Sequence, residues 1–382
     1  MDFQLTEEQR AIRDAVREFA EKEIMPRAAE IDRTDQFPAE IFQKLGAHGL
    51  MGLHIPEAEG GAGADTISQA LAVEEISRAS GSVGLTYAAH LSLGCSPIWN
   101  WGTNAQKKKF LAPLARGEGI GALALTEPKG GSDLAGGVQT TATLQGNEWV
   151  INGSKSFVTS GAIARSINVL CKTDPTQGHR GMSIIIVPRE TRGVVIGKVE
   201  EKMGLRGSVT TQIFFEDCRV PQENLLGEQG KGFYYAMTTL DGGRIGIGAM
   251  ALGLGRAALD AAIKYAQERV AFGKPIADLQ AIQFMIADSA MELDAARLMI
   301  YRAADLKQTG KKFATEAAMA KLFASEAAER ACFKAIQIHG GAGYLRDFPV
   351  ERFYRDNRLT LIGEGTSEIL RHVIAREILK AN

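Results

Sequence analysis

A carboxylate between two glycines is the residue of this chain best suited to proton chemistry. Glu364 lies between Gly363 and Gly365, and glycine lets the backbone adopt conformations that other residues resist and lets a ligand come close. An amphipathic helix is predicted to begin just after Gly365, capped by Thr366 or Ser367. A carboxylate fixed there could act as a general base. Taken alone, the stretch is better explained by an acidic residue that only complements the helix dipole.

Two further stretches carry residues that could bind a ligand. Residues 123–133, LALTEPKGGSD, are predicted to form a strand that ends in a glycine turn with hydroxyl groups and exposed amides. Such a loop could hold a polar planar ligand, or it could be only a turn. Asp241 and Arg244 carry opposite charges three positions apart, and a surface ion pair worth under about 1 kcal/mol is the simplest interpretation.

Two other patterns do not support a site. His90 lies in an apolar helical stretch, where a histidine is more often a core residue with satisfied hydrogen bonds than a catalyst. Residues 246–251 and 253–258 loosely match a dinucleotide-binding fingerprint. They lie inside a helical pattern with no strand before them, so the physical context of that motif is missing.

Composition argues against several classes of protein. The 382 residues are 45% hydrophobic and 23% charged, with a formal net charge of -1, which is ordinary for a globular protein of two or three domains. This near-neutral charge argues against a nucleic-acid protein that binds through phosphate contacts. Four widely spaced cysteines without a Cys-x-x-Cys pair predict neither a metal site nor a disulfide framework, and they favour a reducing compartment.

The distribution of apolar residues bears on location. No apolar run approaches the length that spans a membrane, so no membrane span is expected. The N-terminal segment has an acidic and basic amphipathic pattern rather than that of a signal or transit peptide. We therefore expect a cytoplasmic protein of a prokaryote, with the mitochondrial matrix after removal of a leader as the alternative.

Hydrophobic periodicity divides the chain into three parts. Residues 1–117 are predicted to form an α-helical domain, residues 118–226 a middle β domain, and residues 227–382 a four-helix bundle. The fold class is therefore multi-domain α+β. Within the middle domain we expect a barrel or sandwich, because no crossover helices separate its strands.

Local signals predict the ends of the elements. Thr6 and Gln9 form a capping-box pattern at the first helix. Gly146-Asn147 marks a hairpin, and Asn152-Gly153 marks a further turn. The remaining helices are expected at residues 39–48, 66–79, 84–101, 234–269, 279–309, 313–339 and 367–380.

Several segments, in the same order along the chain, resemble the acyl-CoA dehydrogenase family, and the resemblance extends over essentially the whole chain. In that family the last of these segments follows a hydrophobic strand-like run. The segments are TEPKGGSD at 126–133, KSFVTS at 155–160, LDGGR at 240–244, RVAFG at 269–273, QIHGG at 337–341 and EGTS at 364–367.

The resemblance implies a reaction and a base. In most branches of the family the glutamate of the EGTS segment, here Glu364, is the catalytic base. In the branch typified by isovaleryl-CoA dehydrogenase the base is on the helix near residue 240, and the matching position here is Gly243. The implied reaction is the α,β-dehydrogenation of a short- to medium-chain acyl-CoA, including branched or cyclic ones, to the 2-enoyl-CoA. The implied cofactor is FAD, and the implied electron acceptor is an electron-transferring flavoprotein.

The resemblance also implies which residues contact FAD and substrate. Many members have tryptophan where this chain has Phe157, which keeps a stacking face but loses the indole donor. Cofactor contacts are implied for Leu123, Leu125, Thr126, Ser132, Phe157, Thr159, Arg269, Phe272, Gln280, Gln337, Gly340, Gly341, Thr366 and Glu368. Substrate contacts are implied for Ser132, Asp241, Arg244 and Gly365. No residue demands a metal.

Some of these segments imply an oligomer. Arg269, Gln280 and the segment at 337–341 match family positions that complete the flavin site of another subunit, so a homotetramer is expected. One alternative is an acyl-CoA oxidase that returns electrons to oxygen, which the modest chain length disfavours because such oxidases are usually longer. The other is a non-catalytic scaffold that keeps the same fold.

Overall fold

The computed structural model describes residues 4–381, which form a helical region, a β region and a second helical region in that order. This is the α+β organisation that the sequence predicts. In the N-terminal region the helices are α1 (Glu7–Phe19), α2 (Ala28–Thr34), α3 (Ala39–Ala47), α4 (Thr66–Ala79), α5 (Gly81–Ala89), α6 (Ser96–Trp101), α7 (Asn104–Gln106) and α8 (Ala112–Ala115).

The predicted helix starts are largely confirmed. The hydroxyl of Thr6 accepts a hydrogen bond from the Gln9 N–H at 3.1 Å, and the Gln9 side chain accepts one from the Thr6 N–H at 3.0 Å. This is the predicted capping box. The helix expected from residue 84 begins earlier, at Gly81, directly after the extended Ser80. It continues through a π-helical turn, His90–Cys95, into α6.

The middle region is one mixed sheet. The strands are β1 (Ile120–Ala124), β2 (Thr141–Gln145), β3 (Glu148–Thr159), β4 (Ala164–Lys172), β5 (Met182–Pro188), β6 (Val194–Val199), β7 (Thr210–Pro221) and β8 (Leu225–Leu226), with a short helix α9 (Leu134–Gly137) after β1. Their order is β6-β7-β3-β2-β4-β5-β8, and β1 pairs with β4. Most pairs are antiparallel, including the predicted β2–β3 hairpin, but β1 and β4 run parallel.

The turn predicted at Asn152-Gly153 is wrong, because β3 continues through both residues. The register shifts between Ile151 and Gly153, so the turn-forming dipeptide is accommodated as an irregularity within the strand. Gly153 has a φ of 143°, and an added Cβ would lie 2.6 Å from the Thr140 hydroxyl. Asn152 exchanges hydrogen bonds with Asp217 on β7. Here the glycine permits close strand approach rather than a reversal of the chain.

The C-terminal region is built on the predicted long helices. The elements are α10 (Gly232–Glu268), β9 (Val270–Ala271), β10 (Lys274–Pro275), α11 (Gln280–Gln308), α12 (Ala314–His339), α13 (Val350–Asn357) and α14 (Ser367–Ala381). The four predicted helices of this region are confirmed to within two residues at each end. The strand-like run expected before Glu364 is wrong, since α13 and a 3-10 turn, Arg358–Leu361, occupy that stretch. Buried residues there recur at helical spacing, at Val350, Phe353, Asn357 and Thr360.

Helix α10 is the central element of the molecule. By length and composition it could cross a membrane, contrary to our expectation that no run is long enough, but 83% of its most apolar window is buried within the chain. Such burial is typical of a core helix. Gly253 allows close packing on the N-terminal region, because an added Cβ would lie 2.3 Å from the Glu74 carbonyl oxygen of α4.

Candidate active site

Glu364 lies in a strained turn between α13 and α14. Its φ of 53° is in the left-handed region, which costs free energy for a residue with a side chain and recurs at functional sites. The N–H groups of Ile362 and Gly363 both donate to the Leu359 carbonyl, at 2.8 Å. Thr366 caps α14, as predicted, because its hydroxyl accepts a backbone N–H of the first turn at 3.3 Å. Hydrogen bonds on both sides therefore fix the turn.

The carboxylate of Glu364 lies against α10. An ideal Cβ at Gly243 would be 2.1 Å from Glu364 Oε2, so only glycine at that position leaves room for the carboxylate. Oε2 is buried and has no hydrogen-bond partner among residues 4–381, although the residue as a whole is only partly buried. The oxygen is therefore a free acceptor in a desolvated position.

Two cations act on this carboxylate without pairing with it. Burial raises the pKa of Glu364 to about 7, while Lys321 and then Arg244 oppose the rise. Lys321, on α12, has no exposed surface and donates to the Gly365 carbonyl at 2.7 Å. A carboxyl group that titrates near neutral pH is suited to accept and release a proton.

Asp241 and Arg244 form the predicted ion pair, but it is not a surface pair. Their side chains are 2.5 Å apart, and the Arg244 side chain is only 7% exposed. Burial raises the pKa of Asp241 despite the neighbouring guanidinium. Arg244 Nε is buried without a partner in the described residues. The pair lies one helical turn or less from Gly243. Asp241 and Arg244, two of the residues expected to contact substrate, are therefore near Glu364.

A second group of the expected residues comes together at the end of β1 and on β3. The Ser156 N–H donates to the Thr126 carbonyl at 2.8 Å, which brings Phe157 next to the loop after β1. Phe157 has a φ of 54° and is 68% exposed. Ser132 is exposed, Thr159 is partly exposed, and Leu123 and Leu125 are nearly buried. An aromatic face and hydroxyl groups are thus available together.

An unpredicted buried ion pair supports this second group. Lys155 is fully buried and donates to the Glu127 carboxylate at 2.7 Å and to the Leu125 carbonyl at 3.1 Å. Glu127 also accepts the N–H groups of Gln139 and Thr140. The pair therefore fixes the backbone on both sides of Thr126. A lysine at an inward-facing strand position is the only sequence signal that could have revealed it.

The remaining expected cofactor residues lie elsewhere. Most are exposed at the far end of α10–α12: Arg269, Phe272, Gln280, Gln337, Gly340 and Gly341. Gln337 is 16 residues beyond Lys321 on α12, which is about 24 Å at the rise of an α-helix. Within one chain the structure therefore does not bring this group to Glu364. Glu368 is exposed in the first turn of α14.

His90 behaves as a core residue. Its Nδ1 accepts the Gly121 N–H at 3.1 Å, and its Nε2 lies 2.9 Å from the Met51 carbonyl. Burial lowers the pKa of His90 to about 4, so the ring is neutral at neutral pH. Among residues 4–381, no three His, Cys, Asp or Glu side chains are grouped so as to hold a metal ion.

The arrangement fits a flavin. The exposed face of Phe157 can stack on a planar ring system, and Thr126, Ser132 and Thr159 supply hydroxyl groups beside it. The buried Ser160 hydroxyl and Glu364 Oε2 both lack partners in the part of the chain described. These features define a flavin-type oxidoreductase of the α+β class, with a desolvated carboxylate as its base.

Comparison with known proteins identifies the family. The N-terminal, middle and C-terminal domains of acyl-CoA dehydrogenase match residues 6–118, 122–218 and 230–379. The chain therefore belongs to the acyl-CoA dehydrogenase family, whose members are FAD-dependent enzymes. This confirms the resemblance and the expected cofactor.

Relatives of known sequence include three bacterial enzymes. The chain is 54% identical to the probable acyl-CoA dehydrogenase YngJ of Bacillus subtilis, with both chains fully covered. It is 48% identical to the short-chain specific acyl-CoA dehydrogenase of Clostridium acetobutylicum, again with both fully covered. It is 50% identical to the acryloyl-CoA reductase (NADH) of Anaerotignum propionicum, covering 100% of this chain and 96% of that one.

Solved structures give the same result. Butyryl-CoA dehydrogenase of Megasphaera elsdenii has a TM-score of 0.97 and 43% identity, covering 99% of this chain and 100% of that one. A chain from a study of the electron-transferring flavoprotein of Acidaminococcus fermentans has a TM-score of 0.98, 47% identity and the same coverage. An acyl-CoA dehydrogenase from Bacillus anthracis, complexed with FAD, has a TM-score of 0.93 and 34% identity, covering 99% of this chain and 67% of that one.

One similar structure bears on the oxidase alternative. The prolyl acyl carrier protein oxidase AnaB has a TM-score of 0.95 and 31% identity, covering 98% of this chain and 100% of that one. An oxidase with this fold can therefore be as short as this chain, so length does not separate the two activities.

Proposed function

We propose that the chain oxidises a short- to medium-chain acyl-CoA to the 2-enoyl-CoA, with Glu364 as the base and FAD as the hydride acceptor. The observation that carries the proposal is the Glu364 carboxylate, which is buried against Gly243 with Oε2 unpartnered. A base whose pKa is near the working pH is partly ionised and still strong enough to take a weakly acidic proton. Burial raises the pKa of Glu364 to about 7, which meets that requirement.

The proposed reaction follows from the proton, charge or substrate group that each residue can bind. Glu364 accepts the α-proton of the thioester, and the electron pair of that C–H bond forms the C2–C3 double bond. FAD, which Phe157, Thr126 and Thr159 would hold, would supply the redox chemistry as the acceptor of the β-hydrogen as hydride. The backbone N–H of Glu364 donates to the thioester oxygen and stabilises the charge that develops there, an effect of ~10²–10³ in rate for such a donor. Arg244 and Asp241 orient the substrate beside α10.

The direct test is an anaerobic titration of the purified yellow protein with a panel of acyl-CoAs. We expect the flavin absorbance to bleach in proportion to the 2-enoyl-CoA formed. A colourless protein, or one that no acyl-CoA bleaches, would contradict the proposal and favour the non-catalytic scaffold. The reverse reaction is the second candidate, because one relative is an acryloyl-CoA reductase, and net reduction of 2-enoyl-CoA by NADH would establish it.

We propose an electron-transferring flavoprotein as the acceptor. The support is the similar chain from a study of such a flavoprotein. Turnover should therefore be fast with an electron-transferring flavoprotein and slow with oxygen. Peroxide formed at the rate of substrate oxidation would instead identify an oxidase.

The acyl group is proposed to be short to medium, with branched or cyclic groups accepted. Gly363 directly precedes Glu364, and the atoms nearest to an added Cβ would be those of Leu359, at 3.5 to 3.9 Å. Gly363→Tyr would fill this space, and overpacking a filled site costs ~1–3 kcal/mol. We expect kcat/KM to fall far more for a cyclic acyl-CoA than for butyryl-CoA. Equal losses would show that Gly363 sets the backbone of Glu364 instead of the width of the pocket.

A homotetramer is proposed from two surface features. The distal cofactor residues are exposed, and Gln337 lies about 24 Å along α12 from Lys321, which donates to the Gly365 carbonyl. We infer that these residues serve a flavin in another subunit. Helix α11 also exposes Phe284, Met291 and Leu298 at seven-residue spacing, 59%, 68% and 42% accessible, which places them on one face. That apolar face suits burial against a second copy of this chain.

The proposed location is the cytoplasm of a prokaryote. The four cysteines are free and buried, which suits a reducing compartment. Fractionation of the native cells would test this.

A further inference from the structure

Lys321 is a buried cation with an unusual partner. It lies in the alanine-rich first half of α12, its side chain has no exposed surface, and its ammonium donates to the Gly365 carbonyl at 2.7 Å. No carboxylate of residues 4–381 forms a salt bridge with it. A fully buried lysine is rare unless it is paired, so its position calls for a role.

Helix α12 packs closely on α10 at the level of Lys321. An added Cβ at Gly248 would lie 3.5 Å from the Lys321 Cα, so α12 approaches α10 closely at this level. The ammonium therefore reaches the turn after Glu364 between two helices rather than from solvent. Gly365 has a φ of 101° and Glu364 a φ of 53°, and such a turn persists only when its surroundings hold it.

The electrostatics point in the same direction. Burial raises the pKa of Glu364, and the charge of Lys321 has the largest opposing effect on that pKa. The charge of Arg244 on α10 has the next largest. The groups that act on Lys321 itself are Glu364, Arg244, Glu326 of its own helix and Glu368 of α14, and burial lowers its pKa to about 8. The lysine is thus positively charged at neutral pH and faces the base without neutralising it.

We propose that Lys321 is a positioning residue for the reaction: it clamps the Gly365 carbonyl, so fixing the Glu364 turn, and its charge keeps Glu364 in the ionised form that accepts the α-proton. This inference rests on the proposed function of Glu364. It adds a residue on a different helix that acts through the Gly365 carbonyl and through its charge.

The test compares two substitutions that separate the clamp from the charge. Lys321→Met removes both, while Lys321→Gln removes the charge but keeps a donor for the Gly365 carbonyl. Reduction of the bound flavin by acyl-CoA is measured in single turnover from pH 5.5 to 9.5. We expect the midpoint of the rise to move upward by about one pH unit in both variants, with a limiting rate that falls at least about tenfold only in Lys321→Met.

A readout independent of turnover fixes the interpretation. The protonated-carboxyl band of Glu364, identified in infrared difference spectra by its absence from Glu364→Gln, should titrate with the same displaced midpoint. Lys307→Met is the matched control, because Lys307 also has a pKa lowered to about 8 by burial, whereas the charges that oppose the rise in the Glu364 pKa are those of Lys321 and Arg244. Its midpoint should equal that of the wild type.

The outcomes are distinct. If both Lys321 variants keep the wild-type midpoint, or Lys307→Met shifts it equally, the charge role is overturned. If Lys321→Gln loses as much limiting rate as Lys321→Met, the clamp is overturned. Should Lys321→Met not fold, Lys321→Gln and the infrared titration still decide the charge role. Failure of the proposed function would appear separately, as an absence of flavin bleaching in the wild type.

Discussion

At the scale of single residues, the proton chemistry depends on two absences next to Glu364: a side chain at position 243 and a hydrogen-bond partner for Oε2 among the described residues. Gly243 supplies no side chain, and the carboxylate occupies the volume where a Cβ would be. No described group pairs with Oε2, so burial is not offset by a partner and the pKa of Glu364 rises. The basicity of Glu364 therefore depends on Gly243 of α10 and on the strained turn before α14.

Gly243→Ala should displace this carboxylate. The added methyl would lie 2.1 Å from Oε2 in the wild-type geometry, so the side chain must move, and a misplacement of about 1 Å can cost ~10²-fold in rate. We expect the rate of flavin reduction to fall at least about tenfold while the protein stays folded. Gly246→Ala, whose Cβ would meet only Ala88 at 3.7 Å, is the control and should retain the wild-type rate. Equal rates of flavin reduction for both variants would show that Gly243 does not determine the position of the Glu364 carboxylate.

Sequence alone could identify Glu364 and its neighbours on α10, but not Lys321. Glu364 stands out because two glycines flank it, and Phe157 and Thr126 belong to segments that can be matched to a family. Lys321 could not be found in this way, because a lysine among alanines in a helix usually faces solvent. Its burial follows from how α12 packs on α10 and α14, which no local pattern reveals.

At the scale of elements, a buried charge network joins the two helical regions. Glu75 of α4 is nearly buried and accepts hydrogen bonds from Arg17 of α1, Arg78 of its own helix and Arg256 of α10. Burial would raise the pKa of Glu75, but the Arg17 and Arg256 guanidinium groups lower it to about 2. The network holds α4 against α10, the helix that carries Gly243 and Arg244.

Glu75→Gln should destabilise the protein by about 3 kcal/mol at pH 7, because it removes the buried anion that three guanidinium groups share, although Arg256 keeps Glu74 as a partner. Since the folded-state pKa is depressed, this stability is present above the ordinary glutamate pKa and is lost as the pH falls toward 2. The difference in unfolding temperature between wild type and variant should therefore shrink in acid. Glu21→Gln, which removes an exposed partner of Arg78, should cost under about 1 kcal/mol. A pH-independent difference for Glu75→Gln would refute the electrostatic explanation.

The prediction of secondary structure failed where the local sequence is compatible with two different structures. Asn-Gly usually marks a turn, yet Asn152-Gly153 lies inside β3 because β7 and Thr140 pack against it. The segment before Glu364 was expected to be strand-like, yet tertiary packing on α12 makes it helical. The long helices were predicted well, since their period extends over many residues.

At the scale of the whole molecule, a single chain separates the Glu364 site from the distal cofactor residues. Gly243 and Arg269 are both on or next to α10, 26 residues apart, which is about 39 Å. Phe272, at that far end, is 92% exposed. An assembly in which each flavin contacts two chains would use both groups of residues.

Met291→Asp should weaken this assembly. It places a charge in the centre of the exposed apolar face of α11, and burying an unpaired charge is strongly unfavourable. We expect light scattering to show smaller species, with flavin released at lower protein concentration than in the wild type. Met291→Leu keeps the face apolar and should remain assembled. A wild-type protein that is monomeric and still binds flavin tightly would contradict the proposed assembly.

The most direct test of the account is flavin reduction in Glu364→Gln. Glutamine has nearly the same shape but cannot accept the α-proton, so the variant should bind FAD and acyl-CoA while reduction falls by at least about 10³-fold. In the wild type the same rate should rise with pH through about 7, where Glu364 ionises, and this rise should be absent from the variant. Bleaching of Glu364→Gln by substrate at the wild-type rate would show that another group removes the proton.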